Sequence, residues 1–181
     1  MDNPQSYIED LSHTKLFAGI TSKELAGLLD CLGARRAEYA KGDLIIEEGS
    51  RVHAFGVMLC GHGRSIKWDA ADRLIIITLL QKGSEIGVLL AASPAYESPV
   101  AVQALEAVSV LLIPYDRLLA RCHKACPKHE RLLRNYIGIV AEKGLVLHER
   151  IDCLLKPSLR GKMMNYLLRV SREQQSRTIT I

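Results

Sequence analysis

The stretch FGVMLCGHGRSIKW, Phe55 to Trp68, carries the pattern that decides the fold. Phe55, Val57 and Leu59 occur at every second position, and a period of two is typical of a strand with one buried face. The glycine-containing turn GHG then leads into a second β-prone run, RSIKW. Similar runs alternate with turn residues over positions 37–113, namely Leu44–Ile46, Leu74–Leu80, Val100–Ala104 and Val108–Ile113. Short strands at this close spacing predict an antiparallel sandwich or barrel.

Short helices are predicted on both sides of the strand region and once inside it. Thr21 and Glu24 fit a capping box, which satisfies backbone N–H groups at the start of a helix. Gly33 is a candidate C-terminal stop for this helix. Apolar residues at helical spacing lie between cap and stop, namely Leu25, Leu28, Leu29 and Leu32. The run Glu85–Ala92 predicts a single helical turn between strands, and Tyr115–Ala125 predicts a short helix after the last strand.

The longest helical pattern begins at Pro127, a residue that is favoured in the first position of a helix. Apolar residues then recur at alternating spacings of four and three, which is the pattern of a coiled-coil seam. The seam consists of Leu133, Ile137, Val140, Gly144, Leu147, Ile151 and Leu154. A second apolar stripe beside it consists of Leu132, Tyr136, Ile139, Val146 and Cys153. Two stripes predict two partners, the sheet module and the same helix of a second copy. The alternative is a helix buried within one protomer.

The stretch Lys156-Pro157-Ser158 interrupts this helix, and Ser158 is a candidate N-cap for an amphipathic helix over Leu159–Gln175. Its apolar face is predicted to consist of Met163, Tyr166, Leu167 and Val170. The final residues, Thr178–Ile181, have the pattern of a strand, and a lone strand is unstable because its backbone groups lack partners. We therefore expect three segments: a β module with short helices over 1–126, a long helix over 127–155, and the incomplete start of another domain over 156–181.

The composition of the 181 residues, 48% hydrophobic and 24% charged, excludes wholesale disorder. No apolar run approaches the roughly 20 residues of a membrane span, and the first residues, MDNPQSYIE, are unlike a secretory signal. Five cysteines at irregular spacing do not form a disulfide framework. We therefore expect a cytoplasmic protein.

No Ser-His-Asp triad, paired carboxylates or histidine-rich strands stand out, so we expect no enzymatic activity.

Charge is distributed unevenly along the chain. Residues 1–116 hold 10 Lys+Arg against 15 Asp+Glu, whereas residues 117–181 hold 14 Lys+Arg against 5 Asp+Glu. An acidic first part and a basic last third indicate different partners for the two parts. The alternative is that the basic residues only solvate the C-terminal helices.

The order of these elements and their glycines resembles the CRP/FNR family of bacterial transcription regulators. The residues that carry the resemblance are Leu16-Phe17, Lys41-Gly42-Asp43, Glu48-Gly49-Ser50, Gly61, Gly83-Ser-Glu-Ile-Gly87, Ala104-Leu-Glu106, Leu112-Ile-Pro114, the heptad helix and Leu159–Leu168. The resemblance implies an α+β fold, in which an antiparallel β-roll or jelly roll of the cyclic-nucleotide-binding type carries short flanking helices and a long C-terminal dimerisation helix.

The same resemblance implies effector sensing and homodimerisation. It also implies a winged helix-turn-helix domain that begins with the helix Leu159–Gln175 and whose recognition helix would follow Ile181. Sequence-specific readout of DNA needs such a helix in the major groove. We therefore expect DNA binding of the full-length protein, but no specific DNA binding by this chain.

Cyclic-nucleotide-binding members of this family hold the ribose and the cyclic phosphate with a Gly-Glu pair and an Arg-Ser/Thr pair. The matching positions are Gly87-Val88 and Ser98-Pro99, so the Glu and the Arg are replaced. A buried phosphate without a cation carries a large desolvation cost. The resemblance thus implies an unidentified small-molecule effector other than cyclic AMP. The residues expected around it are Gly83, Glu85, Ile86, Gly87, Val88, Leu89, Ser98, Pro99 and Val100.

The stretch RCHKACPKH brings together thiol and imidazole groups that suit zinc, iron or haem. These residues are Cys122, His123, Cys126 and His129. They leave open a metal- or haem-binding redox sensor as the alternative function; the other interpretation is that they are ordinary residues at a helix junction. Cys31, Cys60 and Cys153 lie in apolar runs and are predicted to be core residues.

Overall fold

The computed structural model of the chain describes residues 4–93, 97–120, 127–176 and 178. The strands in these residues are β1 (Arg35–Tyr39), β2 (Leu44–Ile46), β3 (Ala54–Cys60), β4 (Gly63–Trp68), β5 (Leu74–Leu80), β6 (Glu85–Ile86), β7 (Ala101–Ala104) and β8 (Val108–Pro114). The helices are α1 (Pro4–Ser12), α2 (Ser22–Leu32), α3 (Val88–Ala91), α4 (Tyr115–Leu119), α5 (Pro127–Leu154) and α6 (Leu159–Glu173).

The strands form two antiparallel sheets, as the alternation of short strands and turns predicts. One sheet has the strand order β1-β8-β3-β6 and the other has the order β2-β7-β4-β5. The GHG turn joins β3 of the first sheet to β4 of the second, so the stretch from Phe55 to Trp68 links the two sheets. The predicted α+β architecture with antiparallel sheets, flanking helices and a long helix is confirmed.

Two strands have no counterpart in the sequence pattern. β1 has the sequence RRAEY and pairs along its whole length with β8. β6 is the pair Glu85–Ile86, which lies opposite Val57 and Gly56 of β3. The helical turn predicted for Glu85–Ala92 therefore begins only at Val88. Both strands are defined by a neighbour that offers backbone hydrogen bonds, because neither is long or apolar enough to show a period of its own.

One hydrophobic core draws on both sheets, on α1, α2 and α4, and on the first part of α5. Its largest fully buried side chains are Leu11, Leu16, Phe17, Leu25, Leu32, Phe55, Val57, Met58, Ile113, Leu118 and Leu132. Leu132, Tyr136 and Ile139 of the second apolar stripe of α5 are buried in this core, which confirms the sheet module as a partner of the first part of that helix. Val146 and Cys153 of the same stripe are only partly buried and do not belong to the core.

The helix α2 has the predicted limits and the predicted buried face. The Glu24 carboxylate accepts hydrogen bonds from the Thr21 backbone N–H at 3.1 Å and from the Thr21 hydroxyl at 2.8 Å. These bonds hold the pKa of Glu24 below its ordinary value. Gly33 ends the helix in the left-handed region, at φ 61°, where glycine has no side chain to strain. All four predicted leucines are buried.

The predicted burial of three cysteines is wrong. Cys31 and Cys60 are exposed, and Cys153 is partly exposed. Cys31 precedes the buried Leu32 and lies on the solvent side of α2. Cys60 follows an irregularity in the pairing of β3 with β8, which turns this last residue of the strand away from the core. An apolar run therefore does not indicate the direction of a side chain at the edge of an element.

The chain divides into two compact units, Met1–Val140 and Ala141–Ile181, with the boundary inside α5. In the second unit, the Ser158 hydroxyl accepts a hydrogen bond from the Gly161 N–H at 3.1 Å, as predicted for an N-cap. Of the predicted apolar face of α6, Val170 is buried, whereas Met163 and Tyr166 are exposed. The predicted strand at the C-terminus lies outside the described residues, apart from Thr178.

α4 ends at Leu119, because Ala120 has extended backbone angles, so the predicted helix Tyr115–Ala125 is shorter than expected. Its remaining residues, 121–125, lie outside the described residues. Across the part of the chain that the structure describes, no helix is long and apolar enough to span a bilayer.

The capping interaction at α2 generates a prediction about stability. Thr21→Ala should lower the free energy of unfolding by about 1 kcal/mol, the usual cost of losing a Thr cap. The variant loses the bond from the Thr21 hydroxyl to the charged form of Glu24 and keeps the bond from the backbone N–H. The difference from wild type should therefore shrink as the pH falls through the lowered pKa of that carboxyl. Urea unfolding over a pH series measures this. Lys23→Ala, at an exposed neighbouring position, is the control and should show no such pH dependence.

Candidate functional site

The predicted effector residues from Gly83 to Leu89 form one continuous turn, strand and helix start in the first unit. The Gly83 N–H donates to the Met58 carbonyl at 2.8 Å, and the Met58 N–H donates to the Ser84 carbonyl at 2.9 Å. These two bonds, together with the pairing of β6 with β3, fix the segment against the centre of the first sheet. Its position is therefore set by backbone bonding rather than by side chains.

Gly87 is the residue at which the chain leaves β6 and enters α3. Its φ is +71°, in the left-handed region, and a Cβ there would lie 3.3 Å from the Ala54 carbonyl oxygen and from side-chain carbons of Ile46 and Val52. Any other residue would combine backbone strain with close contacts. Turn geometry and packing thus account for this glycine.

The first residue of α3 points into the core. Val88 is buried, as is Ala91, while Leu89 is partly exposed. The side chain of Val88, the residue that the sequence resemblance matches to a ribose-binding Glu, packs with the core cluster. Of the predicted effector residues on α3, Leu89 is therefore the one with an exposed side chain.

The second predicted segment, Ser98 to Val100, is held to the loop between β2 and β3. The Ser98 N–H donates to the Ser50 carbonyl, and the Ser98 carbonyl accepts from the Gly49 N–H, both at 2.8 Å. The Ser98 side chain is 2% exposed, and its hydroxyl donates to the Val100 carbonyl at 2.6 Å. At the position of the family's Arg, the chain therefore has a short polar group whose hydrogen bond is made within its own loop.

The two predicted segments border the same loop. Gly87 lies against Ile46, Val52 and Ala54, and Ser98 is bonded to Gly49 and Ser50. Residues 83–100 contain two carboxylates, Glu85 and Glu97, and no lysine or arginine. The two segments themselves therefore supply no cation for an anionic phosphate, and the arginine of the bordering loop, Arg51, lies opposite Glu97 in an isolated β-bridge.

A tyrosine of α5 is bonded directly to α3. The Tyr136 hydroxyl donates a hydrogen bond to the Val88 carbonyl at 2.5 Å. The Tyr136 ring contacts Phe55, with centroids 4.7 Å apart, and Tyr115, with centroids 5.8 Å apart. Burial of the phenol raises the pKa of Tyr136 above its ordinary value, and Tyr115 adds to this effect. Tyr136 is therefore a neutral hydrogen-bond donor that joins the long helix to the candidate site.

Asn135 is a second anchor of α5. Its side-chain amide donates to the backbone carbonyls of Leu16 and Ala18 at 2.9 and 3.0 Å. The sequence pattern places Tyr136 in an apolar stripe and gives Asn135 no role. The sequence does contain a signal for the bond made by Tyr136. A tyrosine among aliphatic residues is expected to be buried, and a buried hydroxyl usually has a hydrogen-bond partner.

Solved structures share this arrangement of sheets and helices. The catabolite activator protein of Thermus thermophilus superposes with a TM-score of 0.66 at 18% identity, over 78% of this chain and 63% of that one. The sensor domain of the transcriptional regulator DNR from Pseudomonas aeruginosa gives 0.63 at 16% identity, over 86% and 97%. The N-terminal domain of a transcriptional regulator from Streptomyces coelicolor A3(2) gives 0.61 at 19% identity, over 75% and 94%.

The chain has a CRP/FNR-like cyclic-nucleotide-binding fold. It spans less than two thirds of the Thermus protein. No protein-family model and no curated protein sequence matches the chain.

In this cyclic-nucleotide-binding fold, the predicted seam of α5 differs in exposure along its length. Leu133 and Val140 are partly buried against the core of the first unit, whereas Ile137 is 58% exposed. In the second unit, Leu147, Ile151 and Leu154 are exposed, and a Cβ at Gly144 would meet nothing within 4 Å. The exposed seam residues are available for a partner.

The proposed metal or haem cluster falls mainly on residues outside the described part of the chain, namely Cys122, His123 and Cys126. His129 is described: it is buried, and one ring nitrogen, Nε2, lies 3.1 Å from the Arg117 carbonyl oxygen. Its Nδ1 has no hydrogen-bond partner among the described residues. Those residues contain no cluster of three or more His, Cys, Asp or Glu that could hold a metal ion.

Removal of the Tyr136 hydroxyl should destabilise the first unit. Tyr136→Phe keeps the ring contacts but leaves the buried Val88 carbonyl without its donor, which should lower the free energy of unfolding by about 1–3 kcal/mol. Chemical denaturation measures the change. Tyr115→Phe is the control, because the Tyr115 ring lies beside Tyr136 but no described residue accepts a hydrogen bond from its hydroxyl. Equal stability of wild type and Tyr136→Phe would contradict the assignment.

Proposed function

We propose that the chain is the effector-sensing and dimerisation portion of a CRP/FNR-like transcriptional regulator whose effector is a small molecule other than cyclic AMP. The observation that carries this proposal is the hydrogen bond between Tyr136 and Val88. It connects the segment that would sense an effector with the helix that would dimerise. The fold of the described residues, which resembles those of solved regulators, supports the same assignment.

Two substitutions argue against cyclic AMP. Val88 has no polar group for a ribose hydroxyl, and its side chain is buried. Ser98 has no positive charge for the cyclic phosphate, and its hydroxyl is already bonded to Val100. A phosphate without a cation would lose its hydration without compensation.

In the proposed mechanism, an effector that contacts the exposed side of α3 or the loop around Ser98 changes the position of α3. Because the Tyr136 hydroxyl is bonded to the Val88 carbonyl, a shift of α3 would also move Tyr136 and the base of α5, so that α5 has one position with the effector bound and another without it. An effector shifts this equilibrium only to the extent that it binds one arrangement more tightly than the other. A regulator of this kind needs no catalytic residue, so we propose no enzymatic activity.

The proposed dimer is formed by the exposed seam of α5 against the same helix of a second copy. Ile137, Leu147, Ile151 and Leu154 would pack at spacings of the coiled-coil type. Gly144 would allow the two backbones to approach closely. A twofold axis along the seam would bring the same residues of both copies together.

DNA would be bound by the full-length protein. The basic residues of α6, which include Arg160, Lys162 and Arg172, would at most contact phosphates, and such contacts are sensitive to salt and insensitive to sequence. Specific recognition of an operator needs a helix in the major groove, and we do not expect it of this chain.

Thermal unfolding with added nucleotide tests the effector proposal. A ligand at 100 times its Kd adds about 2.7 kcal/mol to stability, which would raise the Tm by several degrees. Cyclic AMP at millimolar concentration should leave the Tm unchanged, with AMP as the control for non-specific anion effects. A rise with cyclic AMP and not with AMP would refute the proposal that another effector is bound.

Substitutions on the seam test the dimer. Ile137→Glu or Leu147→Glu places a carboxylate at the twofold contact, where two copies would repel and lose apolar burial, so the assembled mass should fall by half. Sedimentation equilibrium measures this mass. His148→Glu adds the same charge to the same helix at an exposed position outside the seam and should leave the mass unchanged. An unaltered mass in both seam variants would exclude α5 as the interface.

A metal- or haem-binding redox sensor is the second candidate, and one observation favours it. The Nδ1 of His129 is buried without a partner among the described residues, and an imidazole nitrogen in that state suits a metal ion. Metal analysis and an absorption spectrum of freshly purified protein test this function. A stoichiometric metal or a haem band that His129→Ala removes would replace the small-molecule proposal.

A further inference from the structure

The second sheet has a side that faces away from the core, here called the outer face. The pairing of β4 with β5 places Trp68 opposite Leu74 and Ile66 opposite Ile76. Between Ser65 and Ile66 the pairing skips one residue of β5. As a result, Leu79, which lies opposite Arg64, is on the same side of the sheet as Ile76 and Leu74. Gln103 of β7 accepts hydrogen bonds from the Arg64 guanidinium, and Leu44 of β2 lies opposite Gln103. The outer face therefore extends across all four strands of this sheet.

Large apolar side chains cover this face and are open to solvent. The exposed members are Leu44, Trp68, Leu74, Ile76 and Leu79, with exposures from 39% to 69%. Ile66 lies among them and is fully buried, although it does not belong to the main core cluster. The outer face thus has a small hydrophobic centre of its own. The opposite side of the same strands carries Leu80, Val102 and Ala104, which belong to the main core.

The exposed apolar area suits a second copy of the same face. Five half-exposed side chains leave roughly 500 Å² of apolar surface, near the upper limit for a monomer and often functional. Two such faces packed together would remove roughly 1,000 Å² from water, about the lower limit for a specific protein interface. A sheet with one apolar face packs well on a second sheet of the same kind, at a spacing of about 10 Å.

The charged residues at the two ends of β5 are neutralised by ion pairs. Arg73, at the start of β5, is paired with Asp69 at 2.7 Å, and Lys82, after its end, is paired with Asp10 at 2.7 Å. β5 itself, LIIITLL, contains no charged residue or proline, although such residues commonly protect an edge strand from association. On the outer face itself, the Arg64 guanidinium donates to the neutral side-chain oxygen of Gln103 at 2.9 and 3.2 Å, so a face-to-face pair has to accommodate this positive charge from each copy.

We infer that the outer face is a self-association surface, at which the β4–β5 hairpins of two copies pack face to face about a twofold axis. This interface differs from the one proposed for α5, because α5 packs through Tyr136 against Phe55 of the first sheet. The inference therefore goes beyond the proposed function and does not depend on it.

Trp68 provides a probe of this surface, since it is the one tryptophan of the chain and lies on the outer face. Loss of solvent around an indole shifts its emission to shorter wavelength. The experiment uses the full chain with Ile137→Glu, which removes the proposed α5 contact, and follows Trp68 emission and sedimentation over a dilution series. At high protein concentration we expect a dimer with blue-shifted Trp68 emission. On dilution we expect this dimer to dissociate to a monomer with red-shifted emission.

Ile76→Lys and Leu79→Lys, each added to Ile137→Glu, should raise the dimer Kd roughly tenfold or more, which corresponds to about 1.4 kcal/mol. They should also remove the dependence of Trp68 emission on dilution. Leu79→Lys keeps the test valid if Ile76→Lys fails to fold, because Leu79 is 69% exposed. Leu119→Lys, at an exposed apolar position on α4, is the matched control and should leave both readouts unchanged.

Three results would overturn the inference. In the first, Ile137→Glu is a monomer with constant Trp68 emission at every concentration, whereas the emission of the wild type changes on dilution. This result would mean that the outer face packs against α5 of the second copy. In the second, the Trp68 emission of both Ile137→Glu and the wild type stays constant on dilution. In the third, the Ile76→Lys and Leu79→Lys variants have the same dimer Kd and emission as the Leu119→Lys control. Failure of the α5 proposal is a separate result, since Ile137→Glu would then have the same mass as the wild type.

Discussion

The buried hydrogen bond between the Tyr136 hydroxyl and the Val88 carbonyl is the interaction on which the organisation of the first unit depends. A helix of four residues such as α3 has no stability of its own. Its place is set by Gly87, which turns the chain out of β6 in a conformation that other residues adopt only with strain, and by the donor that Tyr136 provides. The same donor holds the base of α5 against the first sheet. One bond therefore relates the position of the candidate site to the position of the long helix.

The candidate site has the backbone of a cyclic-nucleotide-binding fold without the corresponding polar groups. The Val88 side chain contributes to the core, and its carbonyl accepts the hydrogen bond from Tyr136. Ser98 closes its own loop through Val100. At Ser98 the hydroxyl that could donate to an anion already donates to the Val100 carbonyl, so an anionic ligand would have to displace a bond that stabilises the loop. At Val88 the buried side chain offers no polar group, and the backbone carbonyl is an acceptor that an anion cannot bond.

Sequence periodicity predicted the antiparallel sheets, the capped helix α2, the N-cap at Ser158 and the burial of the first part of one stripe of α5, because each depends on neighbours that are close in sequence. β1 and β6 could not be predicted, since their identity comes from strands that are distant in sequence. The cysteines of α2 and β3 were misplaced because hydropathy does not give side-chain direction at the end of an element. In the candidate site, Gly87 and its turn were predictable. The inward direction of Val88 and the bond from Tyr136 were not, because they depend on how α5 packs.

The chain exposes two apolar surfaces of different kinds, the seam of α5 and the outer face of the second sheet. Two independent twofold interfaces produce a closed tetramer only if their axes meet at suitable angles; otherwise they generate open chains. An open chain would be harmful at high concentration, so the two contacts should not both be strong. The outer face would bury an area near the lower limit for specificity, whereas a coiled-coil seam continues over several turns. The sheet contact should therefore be the weaker and more concentration-dependent of the two, and the seam should define the basic dimer.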